Sequence, residues 1–276
     1  MHANRCARLG LVVAVFVGCG ATPESAPSPR VVDVKTFDYA FSAPDTISAG
    51  ATTFHLINQG PSQHHLVIFA LPEGMSLATF DRLMRADSIG GTGIEIVGGT
   101  EGPADGASEA WAMLDLAPGN YVLTCLLPLP DGSGTHRSHG MFRALTVVPA
   151  AGKPAPMPHA DVVVRMTDYA FDAPATIPTG RRLVRFENAG AHSHLALVAR
   201  LAPGKTLADA AAWEMKHEGP QPFVYVGGVT AMAPGRESIA RLDLEPGRYF
   251  IACVDNDGTA PKLHFQVGMV REFTVQ

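Results

Sequence analysis

Residues 119–148 read GNYVLTCLLPLPDGSGTHRSHGMFRALTVV, and residues 247–275 read GRYFIACVDNDGTAPKLHFQVGMVREFTV. Each stretch opens on Gly-x-Tyr, runs through β-prone residues to a cysteine, enters a turn-rich loop, and closes on a Gly-Met pair and a Thr-Val strand. Cys125, His136 and Met141 recur as Cys253, His264 and Met269, with ten residues between Cys and His and four between His and Met both times. A shared spacing of this kind marks an internal duplication.

Working outward, the duplication extends through the chain. Leu114-Asp115-Leu116-Ala117-Pro118-Gly119 returns as Leu242-Asp243-Leu244-Glu245-Pro246-Gly247, Asp38-Tyr39-Ala40-Phe41 as Asp168-Tyr169-Ala170-Phe171, and Asn58-x-Gly60 as Asn188-x-Gly190. The offset is 130 residues at Asp38 and Asp168 and 128 at Met141 and Met269, so the copies differ by a net two-residue indel. Within each copy, Val32-x-Val34, Phe54-x-Leu56, Leu66 to Phe69 and their counterparts read as short strands punctuated by Gly, Pro, Asn and Asp. That density of strands and turns predicts an all-β sandwich or barrel in each copy. Leu77, Phe80, Leu83 and Met84 have helical spacing, as do Leu207, Ala210, Ala211 and Met215 behind a Thr206 cap, which predicts one short helix per copy.

The expected organisation is a leader over residues 1–19, a Pro/Ser tether over 20–30, one domain over 31–149, a linker over 150–160 and a second domain over 161–276. His2, Arg5 and Arg8 followed by the apolar run Leu9 to Val17 read as an export signal. Gly18-Cys19 resembles a bacterial lipobox, which implies diacylation of Cys19 and, with Gly20 following, an outer-membrane anchor facing the periplasm; simple cleavage after Gly20-Ala21 is the alternative. With a net charge of −5, the chain has no nucleic-acid-binding signature. No carboxylate pair, nucleophile elbow or phosphate loop stands out.

Beyond Cys6 and Cys19, the two remaining cysteines, Cys125 and Cys253, call for a bridge or a metal in an oxidising compartment. Equivalent positions in separate barrels argue against a bridge, whose Cα atoms must approach within about 7 Å. The first histidine of each set follows Asn-x-Gly. The repeat offset selects His64 and His194, although His65 and His192 lie beside them. Two imidazoles, a thiolate and a weak axial thioether are the donors of a one-electron copper site, because this set tolerates both Cu(I) and Cu(II). His139 lacks a counterpart and reads as a surface group or spare ligand. His55, His159 and His217 are expected to face solvent, and Trp111 and Trp213 to pack.

These motifs resemble the cupredoxin family of blue copper proteins. The carriers are Gly119-x-Tyr121 before Cys125, Gly247-x-Tyr249 before Cys253, the two Gly-Met pairs, and the opening Tyr39-x-Phe41-x-x-Pro44-x-x-Ile47-x-x-Gly50 with its repeat from Tyr169 to Gly180. The resemblance covers nearly all of residues 31–276. It implies an eight-stranded Greek-key barrel per domain and copper held by His64, Cys125, His136 and Met141, and by His194, Cys253, His264 and Met269. The ten-residue loop between Cys and His is longer than in small members; its turn-forming Pro130-Asp131-Gly132 and Asn256-Asp257-Gly258 are expected to arch out and return His136 and His264 to the site. The functions implied are one-electron transfer to a protein partner, copper buffering or delivery, or a metal-free partner-binding scaffold. Cys125 lies between Thr124 and Leu126, and Cys253 between Ala252 and Val254, so neither has the adjacent histidine that wires a blue site to a second catalytic centre. An electron carrier or copper binder is therefore expected rather than an oxidase or nitrite reductase.

Overall fold

The computed structural model describes residues 28–102, 109–256 and 262–276. Cys19 and the segment read as a leader, residues 1–19, lie outside these. The first copy runs β1 (Arg30–Phe37), β2 (Ala40–Ser42), β3 (Thr46–Ser48), β4 (Gly50–Asn58), β5 (Leu66–Leu71), α1 (Leu77–Arg85), β6 (Glu95–Thr100), β7 (Glu109–Leu116), β8 (Gly119–Thr124) and β9 (Phe142–Val148). The second runs β10 (Val162–Thr167), β11 (Ala170–Asp172), β12 (Thr176–Ile177), β13 (Gly180–Asn188), β14 (His194–Leu201), α2 (Leu207–Glu214), β15 (Phe223–Met232), β16 (Glu237–Leu244), β17 (Gly247–Ala252) and β18 (Val270–Val275).

Each copy is a cupredoxin-like sandwich. A five-stranded sheet, β3-β9-β8-β5-β6 or β12-β18-β17-β14-β15, faces four strands of one eight-stranded sheet ordered β11-β10-β13-β16-β7-β4-β1-β2. Parallel pairing of β1 with β4, and of β10 with β13, requires crossovers from one sheet to the other, as a Greek key does. Among the described residues each copy thus has nine strands rather than the eight implied by the resemblance, because the opening segment contributes two short strands beyond the first. Alternation explains the strands: Val32, Val34 and Thr36 of β1 point inward while Asp33, Lys35 and Phe37 are exposed. Each corner before the cysteine strand is tied by a tyrosine: Tyr121 Oη donates to Ala117 O at 2.8 Å, and Tyr249 Oη to Glu245 O at 2.8 Å. Helix α1 is capped by Ser76 and α2 by a reciprocal Thr206–Asp209 box.

The copies join through the middle of the eight-stranded sheet, where β16 pairs β7 at Ile239–Met113 and Ala240–Ala112. Across this seam Thr230 Oγ1 donates to Leu66 O at 3.2 Å, Ser238 Oγ to Met113 O at 3.2 Å, and Arg236 grips Glu95 with two hydrogen bonds of 2.7 and 2.5 Å. The 150–160 segment docks here too. Ala51 N donates to Ala155 O at 3.1 Å, and Met157 and Ala160 pack against Met113, Leu183 and Ile239. His159 and His217 are exposed. His55 is not solvent-facing: its ring stacks on Trp111 at 3.6 Å, and its Nδ1 lies 2.9 Å from Asp33 Oδ1. Arg241 covers the indole at 3.7 Å, so cation–π attraction adds to the stack.

Candidate metal centres

The first histidine is placed by the asparagine before it. Buried Asn58 accepts from Gly60 N at 3.0 Å and from Thr36 Oγ1 at 3.1 Å, and donates to Ser62 O at 2.7 Å. Asn188 repeats this with Gly190 N at 3.0 Å and His192 O at 2.8 Å. Satisfying all these buried polar groups fixes the loop that delivers His64 and His194 to the start of β5 and β14.

The cysteine ends its strand and the second histidine returns through backbone bonds common to both copies. His136 N donates to Leu127 O at 2.9 Å, Arg137 N to Cys125 O at 2.8 Å, Met141 N to His136 O at 3.1 Å and Cys125 N to Met141 O at 3.2 Å. In the second copy His264 N reaches Asp255 O at 3.0 Å, Phe265 N reaches Cys253 O at 2.8 Å, Met269 N reaches His264 O at 2.9 Å and Cys253 N reaches Met269 O at 3.1 Å. Each returning histidine opens a single 3-10 turn, His136–His139 or His264–Val267, that sequence periodicity did not announce. The turn ends on Gly140 or Gly268, with φ of 105° and 118°, left-handed values that suit glycine. This explains the Gly-Met pairs. Residues 128–135 form the expected outward arch, pinched by a bridge between Pro128 and Thr135. Its counterpart around Asn256-Asp257-Gly258 falls partly outside the described residues.

Two three-residue clusters result among the described residues: His64, Cys125 and His136, and His194, Cys253 and His264. All are buried, with one donor atom each within 4.8 Å of the others. His64 Nδ1 lies 3.0 Å from His136 Nδ1, which is 3.5 Å from Cys125 Sγ. The second copy gives 3.2 Å between the Nδ1 atoms of His194 and His264, and 3.4 Å from Cys253 Sγ to His264 Nδ1. Met141 and Met269 are fully buried, next to the backbone of the cysteine and the loop histidine of their own copy. Cys125 and Cys253 are not bridged to each other. His65 stays outside the cluster and accepts Leu126 N at 2.7 Å. His192 lies 3.2 Å from Asp168. His139 is exposed and faces Tyr39 at 5.3 Å.

Sequence reasoning missed the role of the repeated Asp-Tyr pair. It forms the two-residue turn between β1 and β2, and again between β10 and β11, with Tyr39 at φ 65° and Tyr169 at φ 64°. Asp38 Oδ1 sits 3.3 Å from His64 Nε2, and Asp168 Oδ1 3.1 Å from His194 Nε2. A carboxylate on Nε2 fixes the tautomer that leaves the Nδ1 lone pair facing the cluster. The tyrosine rings close edge-on over the loop histidines at 5.5 Å for His136 and 5.2 Å for His264. A Cβ on Gly60 would fall 2.8 Å from Asp38 Oδ1 and 3.2 Å from His64 Nε2, so the Asn-x-Gly glycine is what lets aspartate and histidine meet.

Burial sets the protonation of the candidate donors. Burial lowers the pKa of His64 and His194 more than their aspartates raise it, and burial chiefly lowers that of His136, so all three rings are neutral near pH 7. Burial pushes the Cys125 thiol up to about 12, so without a cation it holds its proton. Asp168 ends below the usual carboxylate range: burial pushes it up, but donors from His194, Ala191 and His192 pull it further down.

No protein-family model and no curated protein matches the chain. Among solved structures, dithionite-reduced auracyanin from Roseiflexus castenholzii aligns with 41% of this chain and 94% of its own at 22% identity and a TM-score of 0.30. A blue copper oxidase from Nitrosomonas europaea aligns over 90% of this chain and 86% of its own, at 14% identity and a TM-score of 0.27. A copper nitrite reductase from Nitrosomonas europaea does so over 90% and 94%, at 12% identity and 0.26. At these scores the fold reading rests on the strand order and hydrogen bonding described above.

Proposed function

We propose that the chain is an exported copper protein that moves single electrons, with one type 1-like copper held in each copy. The observation that carries this is the buried meeting of two imidazoles and a thiol within 4.8 Å, from three separate segments, twice in one chain. A soft thiolate with two imidazoles suits copper, and Met141 and Met269 are placed in sequence to supply the weak axial thioether. Bound copper would supply a one-electron couple. The chain's part is to hold the donors before the ion arrives. The shared loop hydrogen bonds, the Asp-Tyr turns and the surrounding barrel fix ligand positions, which suits a site that changes oxidation state with little movement. The loop histidines, His136 and His264, would face a protein redox partner. We further propose anchoring through Cys19 at the outer membrane, on the periplasmic side, supported by the leader sequence.

The test is copper stoichiometry and the visible spectrum of the Cu(II)-loaded protein. Two copper ions per chain with an intense thiolate-to-copper band are expected, each of Cys125→Ser and Cys253→Ser removing one. A colourless, folded, Cu(II)-exposed protein refutes the reading. Cys19→Ala is expected to move the protein from the membrane to the soluble fraction; unchanged partitioning refutes the anchor.

A further inference from the structure

The two copies differ beside their metal clusters. In the first, Phe80 of α1 is fully buried among Val67, Phe69 and Val122, its ring 5.3 Å from that of Phe69. Next to it the Asp81 carboxylate accepts Arg137 Nη1 at 2.8 Å, which bolts the ligand loop to the helix. The repeat offsets put Ala210 at the place of Phe80, Ala211 at that of Asp81 and Phe265 at that of Arg137. Phe69 is replaced by Ala199, while Val122 becomes Phe250. Two large side chains and an ion pair have become alanines and a phenylalanine, and the sandwich has not collapsed around the loss. A pocket of about 320 Å³ remains between α2 and the outer face of the five-stranded sheet, bounded by Leu197, Ala210, Phe223, Phe250 and Phe265.

We propose that this pocket is a binding site for a small neutral aromatic molecule of one or two fused rings, the size of phenol or indole. The first copy shows what fits: there a phenyl ring of the chain itself fills the equivalent space against the equivalent strands. The volume falls at the lower end of the range for small-molecule sites, and apolar walls of this kind reject water and accept aromatic guests. Phe223, Phe250 and Phe265 offer ring edges and faces for stacking. A charged guest would lose its hydration against these apolar walls, and among the described lining residues only Glu214 is ionisable. Burial raises its pKa, outweighing the His217 charge and a Tyr225 hydrogen bond that pull the other way. Among the described lining residues, that carboxyl is also the one side chain that can hydrogen-bond a hydroxyl or ring N–H. Ala252 and Val254 flank Cys253, and Phe265 follows His264, so a guest would sit against the backbone of two candidate ligands. The proposal needs no copper, and its test reads binding directly.

The probe is 5-fluoroindole, titrated into the full chain and followed by fluorine NMR and by melting temperature. Saturable one-to-one binding and a concentration-dependent rise in melting temperature are expected. Ala210→Phe, which restores the residue of the first copy, is expected to weaken binding at least about tenfold while leaving the fold intact. Ala211→Leu fills the same space from the next residue and serves if Ala210→Phe does not fold. Binding that is absent up to the solubility of the probe, or that survives both substitutions unchanged, overturns the proposal.

Discussion

Removing Asp81 should weaken the protein and the candidate metal site of its first copy while sparing that of the second. Arg137 Nη1 meets Asp81 Oδ1 at 2.8 Å, with the arginine side chain 7% exposed and the aspartate 22%. Asp81→Ala leaves a mostly buried guanidinium with no other ion-pair partner among the described residues, and it also frees Arg85, which Asp81 binds through its second oxygen. Breaking a fully buried pair from one side costs about 3–5 kcal/mol. The solvent reaching Asp81 reduces this, so about 2–3 kcal/mol is expected for Asp81→Ala. The second copy shows the repair: its Ala211 and Phe265 stand where the pair stands in the first. The double variant Asp81→Ala with Arg137→Phe should therefore regain all but about 1 kcal/mol, because replacing both charges by apolar groups removes the desolvation cost as well. Urea unfolding of the metal-free chain measures both quantities. Arg137 follows His136, so copper retention in a Cys253→Ser background should also fall for the single variant and recover in the double. A single variant within about 0.5 kcal/mol of the parent, or a double variant no better than the single, refutes the reasoning.

Phe80→Ala should cost about 3–5 kcal/mol by thermal or urea unfolding, because its ring is fully buried and the second copy shows that this groove does not close when emptied. Asp38→Asn should weaken Cu(II) binding at the first site about 10–100-fold and raise its reduction potential, since the imidazole loses a charged partner; competition titration and voltammetry report both. Hydrogen bonds from Arg236 hold the Glu95 carboxyl below its ordinary range. A depressed carboxylate lends stability above the unfolded value of about 4.3 and loses it as pH falls through the lower folded value. The acid limb of the stability profile should accordingly flatten in Glu95→Gln, and an unaltered limb would exclude this pair as a contributor.

The meeting of His64, Cys125 and His136, and of His194, Cys253 and His264, was legible because chemistry and repetition coincided: Cys and His at one spacing, twice. The choice of His64 over His65 followed from the offset alone, and the hydrogen bond from Leu126 N to His65 explains why the neighbour is occupied elsewhere. Less legible was anything that depended on chain crossings. Asp38 and Gly60 both stood out as repeated residues, but their shared task appears only when the β1–β2 turn is laid against the Asn-x-Gly loop. His55 lacked a repeat partner and so read as a surface group; its partner is Trp111 on the adjacent strand β7, a cross-strand neighbour that periodicity cannot assign. The Phe80 to Ala210 mismatch was present in the aligned copies, yet a single alanine in a helix carries no sign of a pocket until the opposing sheet is in place.

The seam between β7 and β16 has a practical corollary for anyone dividing this gene. Either half expressed alone would present the bare flank of an interior strand, with amide and carbonyl groups that the other half normally covers, together with the apolar faces of Met113 or Ile239. Such flanks recruit further copies of themselves. Truncated versions should thus self-associate or precipitate, and the two cysteine clusters are best studied by point substitution within the intact polypeptide.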